Sequence, residues 1–505
     1  MPASPPDQTV LYQPDSSARQ PLYRARTIRD LEQGAIAALG SGGGYLLMQR
    51  AAQALLKLLQ QKWPAPRKVL VYAGTGNNGG DGYLLAALAR ACGYDIRLYQ
   101  HGDHSRLSGS ARLAADAAAK AGVPLVTGFA EAELLVDALF GTGLNRPLDD
   151  ATTTLINQIN QSNKPILAID IPSGLGADSG TVVPRAIKAS CTLSFIGLKP
   201  GLLMQQGFDH CGELWLSPLQ LTTELAGVTP DCVTLAADTL GTLLPQRATN
   251  SHKGHFGHVL VIGGDYGFGG AAIMTAQTAV NCGAGKVSLY SRSNHISAML
   301  SRQPEVMVSS NNCAQLLEAA SVIAIGPGLG VKSWGQALMV QALASAKPLV
   351  LDADALNYLA SLTPEQQNSV RRQNWVLTPH PGEAARLLSC SIDAVTNDRL
   401  AAAQQLQQRF GGVILLKGAG SLICDQQGRL FLLAGANPAL ASGGMGDVLT
   451  GIIAALLAQG LKGRHACQLA AWLHLHSANT LTQKQVRPWL VATDLIQLLK
   501  LQLIN

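Results

Sequence analysis

Residues 68–82 read KVLVYAGTGNNGGDG, and this stretch decides the fold class. Residues 68–73 form a short apolar run of strand length. They pass directly into Gly74-Thr75-Gly76-Asn77-Asn78-Gly79-Gly80-Asp81-Gly82, and the apolar stretch from Tyr83 predicts a helix. Strand, glycine loop, helix is the opening of a parallel-sheet unit. Glycine lets backbone close on a ligand, and a helix start suits an anionic one. The spacing matches neither the Walker A nor the GxGxxG pattern. Two Asn and an Asp add side-chain oxygens suited to a cation or a ribose. A tight turn needing positive φ is the alternative, but so many glycines exceed what one turn requires.

The pattern recurs outward from this stretch. Helices are predicted at 27–39 and 45–62, the second closed by Trp63-Pro64-Ala65-Pro66. Strands follow at 95–99, 134–139, 165–169, 191–197 and 212–216. The 134–139 strand leads into Gly141, Thr142, Gly143, Leu144, Asn145, Arg146 and Pro147; the 165–169 strand leads into Asp170-Ile171-Pro172-Ser173-Gly174. Loops at strand C-termini of a parallel sheet converge on one site. There Asn78, Asp137 and Ser173 offer hard oxygens to a monovalent or divalent cation. Arg146 suits a pyrophosphate, and Asp170 is placed for proton transfer. Each residue alone also fits a cap or a turn. The segment LKPGLLMQQGFDHCGEL, residues 198–214, reads as a surface connection.

A chain of 505 residues predicts two domains, with three as the alternative. Its 47% hydrophobic and 14% charged residues describe a well-buried globular protein. The net charge of +6, with no Lys/Arg run, accommodates small anionic ligands and makes no case for nucleic acid or membrane. Nine scattered cysteines without metal spacing predict reduced thiols and a cytoplasmic setting. No apolar run is long enough to span a membrane. Residues 1–22 read as a loose polar leader, and 226–245, lacking a glycine loop, as a linker between domains at 23–225 and 246–505.

The second half repeats the grammar with different residues. Strands are predicted at 258–262, 286–290, 322–325, 348–351, 375–377 and 413–416. Glycine or polar loops follow: GGDYGFGG, GPGLG, DADAL, TPHPGE and KGAGS. Residues 421–424 and 429–433 predict a hairpin and an antiparallel edge. Residues 437–451, NPALASGGMGDVLTG, place Gly443, Gly444, Gly446 and Asp447 where a helix from Val448 begins. Backbone N–H groups there could hold a transferring phosphoryl while Asp447 takes a proton; a plain helix cap is the alternative. Lys417 and Ser421 would face a nucleotide phosphate. His380 fits either a substrate contact or an ordinary loop histidine. His474 and His476, two apart on a helix, read as structural.

Taken together, LEQGAIAALG, LLMQRAA, GTGNNGGDG, DALFGTGLNRP, DIPSG and LKPG resemble the YjeF N-terminal domain, the NAD(P)H-hydrate epimerase family, over most of residues 20–220. That resemblance implies a Rossmann-like domain with substrate at Asn77, Asn78, Gly79, Gly80, Asp81, residues 141–147 and Asp170. It also implies a potassium ion at Asn78, Asp137 and Ser173. LLMQRAA departs from the family's Glu and Gly there. KGHFGHVLVIGGD, GAG, RQPEVM, GPGLG, DADALN, LTPHPGE, KGAGS and GGMGD resemble the ADP-dependent NAD(P)H-hydrate dehydratase family, ribokinase-like, over about 250–500. This implies nucleotide at Lys417, Gly418, Ala419, Gly420, Ser421 and Gly446, and hydrated dinucleotide near Ala271, Gly328, His380 and Asp447. Many relatives carry Tyr where this chain has Phe268-Gly269.

The expectation is thus an α/β chain of two three-layer α/β/α domains. It would epimerise R and S NAD(P)H hydrates and dehydrate the S form with ADP, giving AMP and phosphate. Magnesium beside the nucleotide is expected from phosphoryl transfer, and homo-oligomeric assembly from both families. A ribokinase-like small-molecule kinase with a non-catalytic N-terminal module is the alternative. The paired NNGGDG and DIPSG loops argue against it. A further reading, in which the N-terminal half is a macromolecular scaffold, leaves those polar loops unexplained.

Overall fold

The structure is a computed structural model and describes residues 9–12, 18–64, 68–128, 130–143, 147–244, 246–484 and 488–502. The chain forms two bodies, one ending at Cys232 and the other running from Val233. No helix among the described residues is long and apolar enough to cross a membrane.

In the first body eight strands form one sheet, in the order Val10–Leu11, Glu213–Ser217, Cys191–Phe195, Ile166–Ile169, Leu134–Ala138, Lys68–Ala73, Asp95–Gln100 and Leu125–Val126. All pairs are parallel except the first, where Val10 lies opposite Leu216. Part of the expected loose leader is therefore an edge strand. Side chains alternate across a strand, so Val69 and Val71 pack with the helices Gly43–Lys62 and Asn77–Ala91. Leu70 and Tyr72 pack on the other face against Leu155 and Ile156 of Asp150–Gln161. Both faces are covered, which is why these strands read as unbroken apolar runs. The strand order reverses between Lys68–Ala73 and Leu134–Ala138, the place where ligands bind in open α/β sheets.

The helix after Lys68–Ala73 starts at Asn77, not near Tyr83. NNGGDG is therefore its first turns, and the glycines serve close packing. None of Gly74, Gly76, Gly79, Gly80 or Gly82 has positive φ. A Cβ on Gly79 would sit 2.0 Å from the Gly74 carbonyl oxygen, and one on Gly82 2.6 Å from the Ala138 side chain.

LKPG is not a surface connection. Lys199 is 1% exposed, and Pro200, Gly201, Leu202 and Leu203 are buried with it. The expected linker is also ordered in part. Cys232–Thr234 is a strand parallel to Leu430–Leu433, and Ala237–Gly241 is a short helix.

In the second body the sheet runs Met307–Ser309, Lys286–Tyr290, His258–Ile262, Val322–Ile325, Leu349–Leu351, Trp375–Leu377 and Val413–Leu416, all parallel. Ser421–Cys424 and Leu430–Leu433 continue it as the expected antiparallel hairpin. One face is covered by Gly269–Asn281, Met445–Ala458 and Gly463–Lys484. Gly451 lets the first two of these helices touch, since a Cβ there would lie 2.6 Å from the Thr275 carbonyl oxygen. Here too the order reverses, between His258–Ile262 and Val322–Ile325.

Candidate active sites

In the first body a cavity of about 780 Å³ opens where the sheet order reverses; Glu32, Asn77, Asn78, Asp81, Gly141 and Thr142 are among the residues lining it. Gly143, Asp170 and Lys199 line it too. Asp170 directly follows its strand and takes positive φ, 63°, a conformation Asp tolerates better than most residues. Its Oδ1 accepts Lys199 Nζ at 2.5 Å and the Phe195 amide at 3.1 Å. Burial pushes the Asp81 carboxyl well above the usual carboxylate range, and Asp170 and Glu32 push it further. Burial also raises Glu32, with Asp170 adding to the shift and Lys199 opposing it. Three carboxyl groups thus face one cavity, with Lys199 hydrogen-bonded to Asp170 alone.

Asp137 sits behind this cavity, fully buried. It accepts the Ser173 amide at 2.7 Å, the Ser173 hydroxyl at 2.6 Å and the Leu139 amide at 3.2 Å. Burial raises its pKa to about 6 against those hydrogen bonds. Ser173 Oγ also accepts the Phe140 amide at 2.9 Å. The Asn78 side chain abuts Gly141, and its buried Nδ2 has no partner. Asn78, Asp137 and Ser173 are thus gathered around residues 137–141, as the resemblance implies. Gly79 and Gly80 are buried against Gly74 and Met48, Pro147 is exposed, and Leu144, Asn145 and Arg146 lie outside the described residues.

In the second body the helix Met445–Ala458 begins inside GGMGD, one turn earlier than its apolar run suggests. Gly444 is the N-cap, at φ 88°, and has no side chain to cap the first-turn amides. Asp447 stands in that first turn. Burial raises its pKa to about 7; Asp352 adds to the shift and Lys417 opposes it.

Asp352, at the end of Leu349–Leu351, accepts Lys417 Nζ at 2.7 Å, Thr378 Oγ1 at 2.8 Å and Thr450 Oγ1 at 3.0 Å. Lys417 also lies 3.7 Å from Glu383. Burial works against the Lys417 ammonium, but Asp352, Glu383 and Asp447 outweigh it and raise its pKa. A Cβ on Gly446 would be 3.5 Å from both Asp352 Oδ2 and Lys417 Nζ, so Gly446 faces this pair. His380 caps the helix Pro381–Leu388, its Nδ1 accepting the Gly382 amide at 3.0 Å. Burial, then Lys417 and Arg386, lower its pKa, so the neutral ring is favoured.

The other expected residues join the same end of the sheet. Thr275 Oγ1 lies 3.0 Å from the Ala271 carbonyl oxygen and 3.1 Å from that of Asp447. Gly328, at φ 59°, packs against Phe268, whose carbonyl accepts the Ala271 amide. In the KGAGS loop, the Lys417 and Gly420 amides are already spent on Pro379 and Gly435. The Gly420 N–H is therefore engaged within the fold. A cavity of about 810 Å³ opens near Pro348 and Trp375, where the strands begin, and holds none of these residues.

Sequence reasoning did not assign Glu32, Lys199, Asp352, Thr378, Glu383 or Thr450. All lie within stretches already singled out or beside them, but their roles depend on partners far away in the chain.

Residues 259–501 match the family model described as NAD(P)H-hydrate dehydratase, and residues 44–201 the YjeF-related protein N-terminus. The bifunctional NAD(P)H-hydrate repair enzyme of Coxiella burnetii is 41% identical over 94% of this chain and 97% of its own. That of Escherichia coli is 40% identical over 90% and 89%. A solved ribokinase-like superfamily protein from Enterococcus faecalis is 31% identical, covers 54% of this chain and 95% of its own, and has a TM-score of 0.49.

Proposed function

The chain belongs to the family of bifunctional NAD(P)H-hydrate repair enzymes, and from that premise we propose which residues carry its two reactions. It epimerises R and S NAD(P)H hydrates and dehydrates the S form back to the reduced cofactor. The observation that carries the dehydratase assignment is Asp447, standing in an uncapped helix start beside the Lys417–Asp352 pair. Its pKa of about 7 leaves a large fraction ionised at neutral pH while keeping it basic enough to take a proton.

Asp447 removes the proton of the substrate's C6 hydroxyl, and that oxygen attacks the β-phosphorus of ADP. The bond to the bridging oxygen breaks, and AMP leaves. The first-turn amides of Met445–Ala458 and the positive end of its dipole stabilise the charge on the phosphoryl oxygens. Lys417, held by Asp352, adds a fixed positive charge. N1 then supplies electrons, phosphate leaves C6 far more readily than hydroxide would, and C5 gives up a proton to restore the C5–C6 double bond. Ala271, Gly328 and His380 border the dinucleotide. Magnesium supplies charge neutralisation on the phosphates in such transfers. Among the described residues no group of three or more His, Cys, Asp or Glu is placed to hold a metal.

Epimerisation at C6 must break and remake the C6–O bond. A proton is delivered to the leaving oxygen, N1 supplies electrons, and water adds to the other face with loss of a proton. We assign the proton traffic to Asp170, oriented by Lys199, and to Asp81 and Glu32, whose burial favours the protonated carboxyl. Potassium fits beside Asp137, a fully buried carboxylate held only by neutral donors. The hard oxygens of Asn78, Asp137 and Ser173 would hold it, and its charge would fix the 137–143 loop under the substrate. We also propose a cytoplasmic homo-oligomer; nine scattered cysteines with no CxxC spacing support the location.

The test is to supply both hydrate epimers with ADP and follow the absorbance of restored nicotinamide. Full recovery of both is expected. Recovery of half, or phosphate transfer to an unrelated alcohol, overturns the assignment.

A further inference from the structure

Beneath the KGAGS loop lies Arg399, the first residue of the helix Arg399–Phe410. It is 1% exposed. Its Nη1 donates to the Ala419 carbonyl at 2.9 Å, and Nη2 to those of Leu416 and Lys417, both at 3.2 Å. Every acceptor is backbone at or beside the turn between Val413–Leu416 and Ser421–Cys424. The guanidinium also sits close against Gly418. A Cβ there would come within 2.9 Å of Nη2, and φ at this glycine is 148°. Gly418 is thus required twice, by its backbone angle and by the arginine under it.

Two features set Arg399 apart from an ordinary buried arginine. Among the described residues no carboxylate pairs with it, and its buried Nε has no partner. Buried charges are normally paired, because desolvation is costly. Burial lowers its pKa only to about 10, so it stays charged at neutral pH. The neighbouring ammonium, Lys417, is already balanced by Asp352 and Glu383. A positive charge without a protein counter-ion therefore sits directly behind the loop.

We infer that Arg399 is a positioning residue for the nucleoside diphosphate. Its planar fork draws the turn's carbonyls inward and so turns the remaining backbone toward the ligand, and its charge is balanced when the phosphates arrive. This rests on the proposal that the KGAGS loop holds the nucleotide. Lysine keeps the charge but cannot reproduce the fork.

The test measures dehydration by Arg399→Lys and Arg399→Gln, varying ADP at saturating hydrate and hydrate at saturating ADP. Both variants are expected to raise KM for ADP by about tenfold or more, the loss of charged hydrogen bonds, with Arg399→Gln the more affected. KM for the hydrate and kcat at saturating ADP are expected to change little. A merely structural role would lower the active fraction, so kcat would fall with KM for ADP unmoved; that result in either soluble variant overturns the inference. If Arg399→Gln does not fold, Arg399→Lys decides. Ser421→Ala separates the two layers. If Ser421→Ala raises KM for ADP and the Arg399 variants do not, the inference fails and the loop assignment stands. If none raises it, the loop assignment fails as well.

Discussion

Lys417 Nζ lies 2.7 Å from Asp352 Oδ1, and this pair sets the charge state of the site around it. With its ammonium engaged there, Lys417 only partly offsets the burial and the Asp352 charge that lift Asp447 to about 7. Asp352→Asn should remove the repulsion and free Lys417 to stabilise the Asp447 carboxylate. Thr378 and Thr450 donate to opposite oxygens of Asp352, so one of them keeps its acceptor in the Asn variant. With Asp447 as the proposed base, the kcat/KM profile for dehydration should rise with pH through a limb near 7. In Asp352→Asn that limb should move to lower pH. An unmoved limb would mean that the pair does not tune the base.

In the first body Lys199 serves Asp170 in a comparable way. Lys199→Met leaves Asp170 without its cation and strips donors from Ser194 and the Phe195 carbonyl. Breaking one side of a buried pair costs about 3–5 kcal/mol. Epimerisation should fall while dehydration of pure S hydrate persists, and the urea midpoint of the first body should drop. A normal midpoint would show the pair to be weakly coupled to the fold.

Much of this architecture was legible because both sheets are covered on both faces. Strands such as Lys68–Ala73 and His258–Ile262 are buried throughout, so their apolar runs stand out. Helix starts were less legible. At Asn77 and Met445 the first turns are built from glycine and polar residues, which resemble loop until close packing explains them. Asp170 and Asp447 were visible as acids at strand and helix ends. Lys199 was not, since a lysine in a connection is usually solvent-facing; only its long-range partner Asp170 accounts for its burial. Asp352 and Glu383 stood inside recognised motifs, yet their roles depend on Lys417, far along the chain.

Gly79→Ala tests the packing account of NNGGDG. The added methyl would meet the Gly74 carbonyl oxygen at 2.0 Å, which backbone cannot yield to without displacing the helix. A loss of at least about 1–3 kcal/mol is expected, with epimerisation lost and S-hydrate dehydration retained. Unchanged epimerase stability would instead favour a loop that needs glycine only for a ligand.

The buried Asp137 gives a pH and salt signature. Its folded pKa, about 6, is above the ordinary carboxylate value of 3.8. The proton-linked stability is therefore fully present below about 3.8 and is lost as pH rises through 6. Without potassium, wild type should lose stability relative to Asp137→Asn as pH rises from 3.8 to about 6, and little further above that. Added potassium should offset the loss in wild type and not in the variant. Identical responses from the two proteins would remove potassium from this site.

The proposed assignment gives one chain two independent chemistries, centred on Asp170 and Asp447. The most direct measurement compares Asp170→Asn, Asp447→Asn and their mixture, each given both hydrate epimers and ADP. Asp447→Asn should epimerise but restore no cofactor, its dehydration falling by about 10² to 10⁴-fold. Asp170→Asn should repair the S form quickly and the R form only at its spontaneous epimerisation rate. The mixture should repair both, each variant supplying what the other lacks. Loss of both activities in either single variant, or failure of the mixture to recover the R form, would contradict the account.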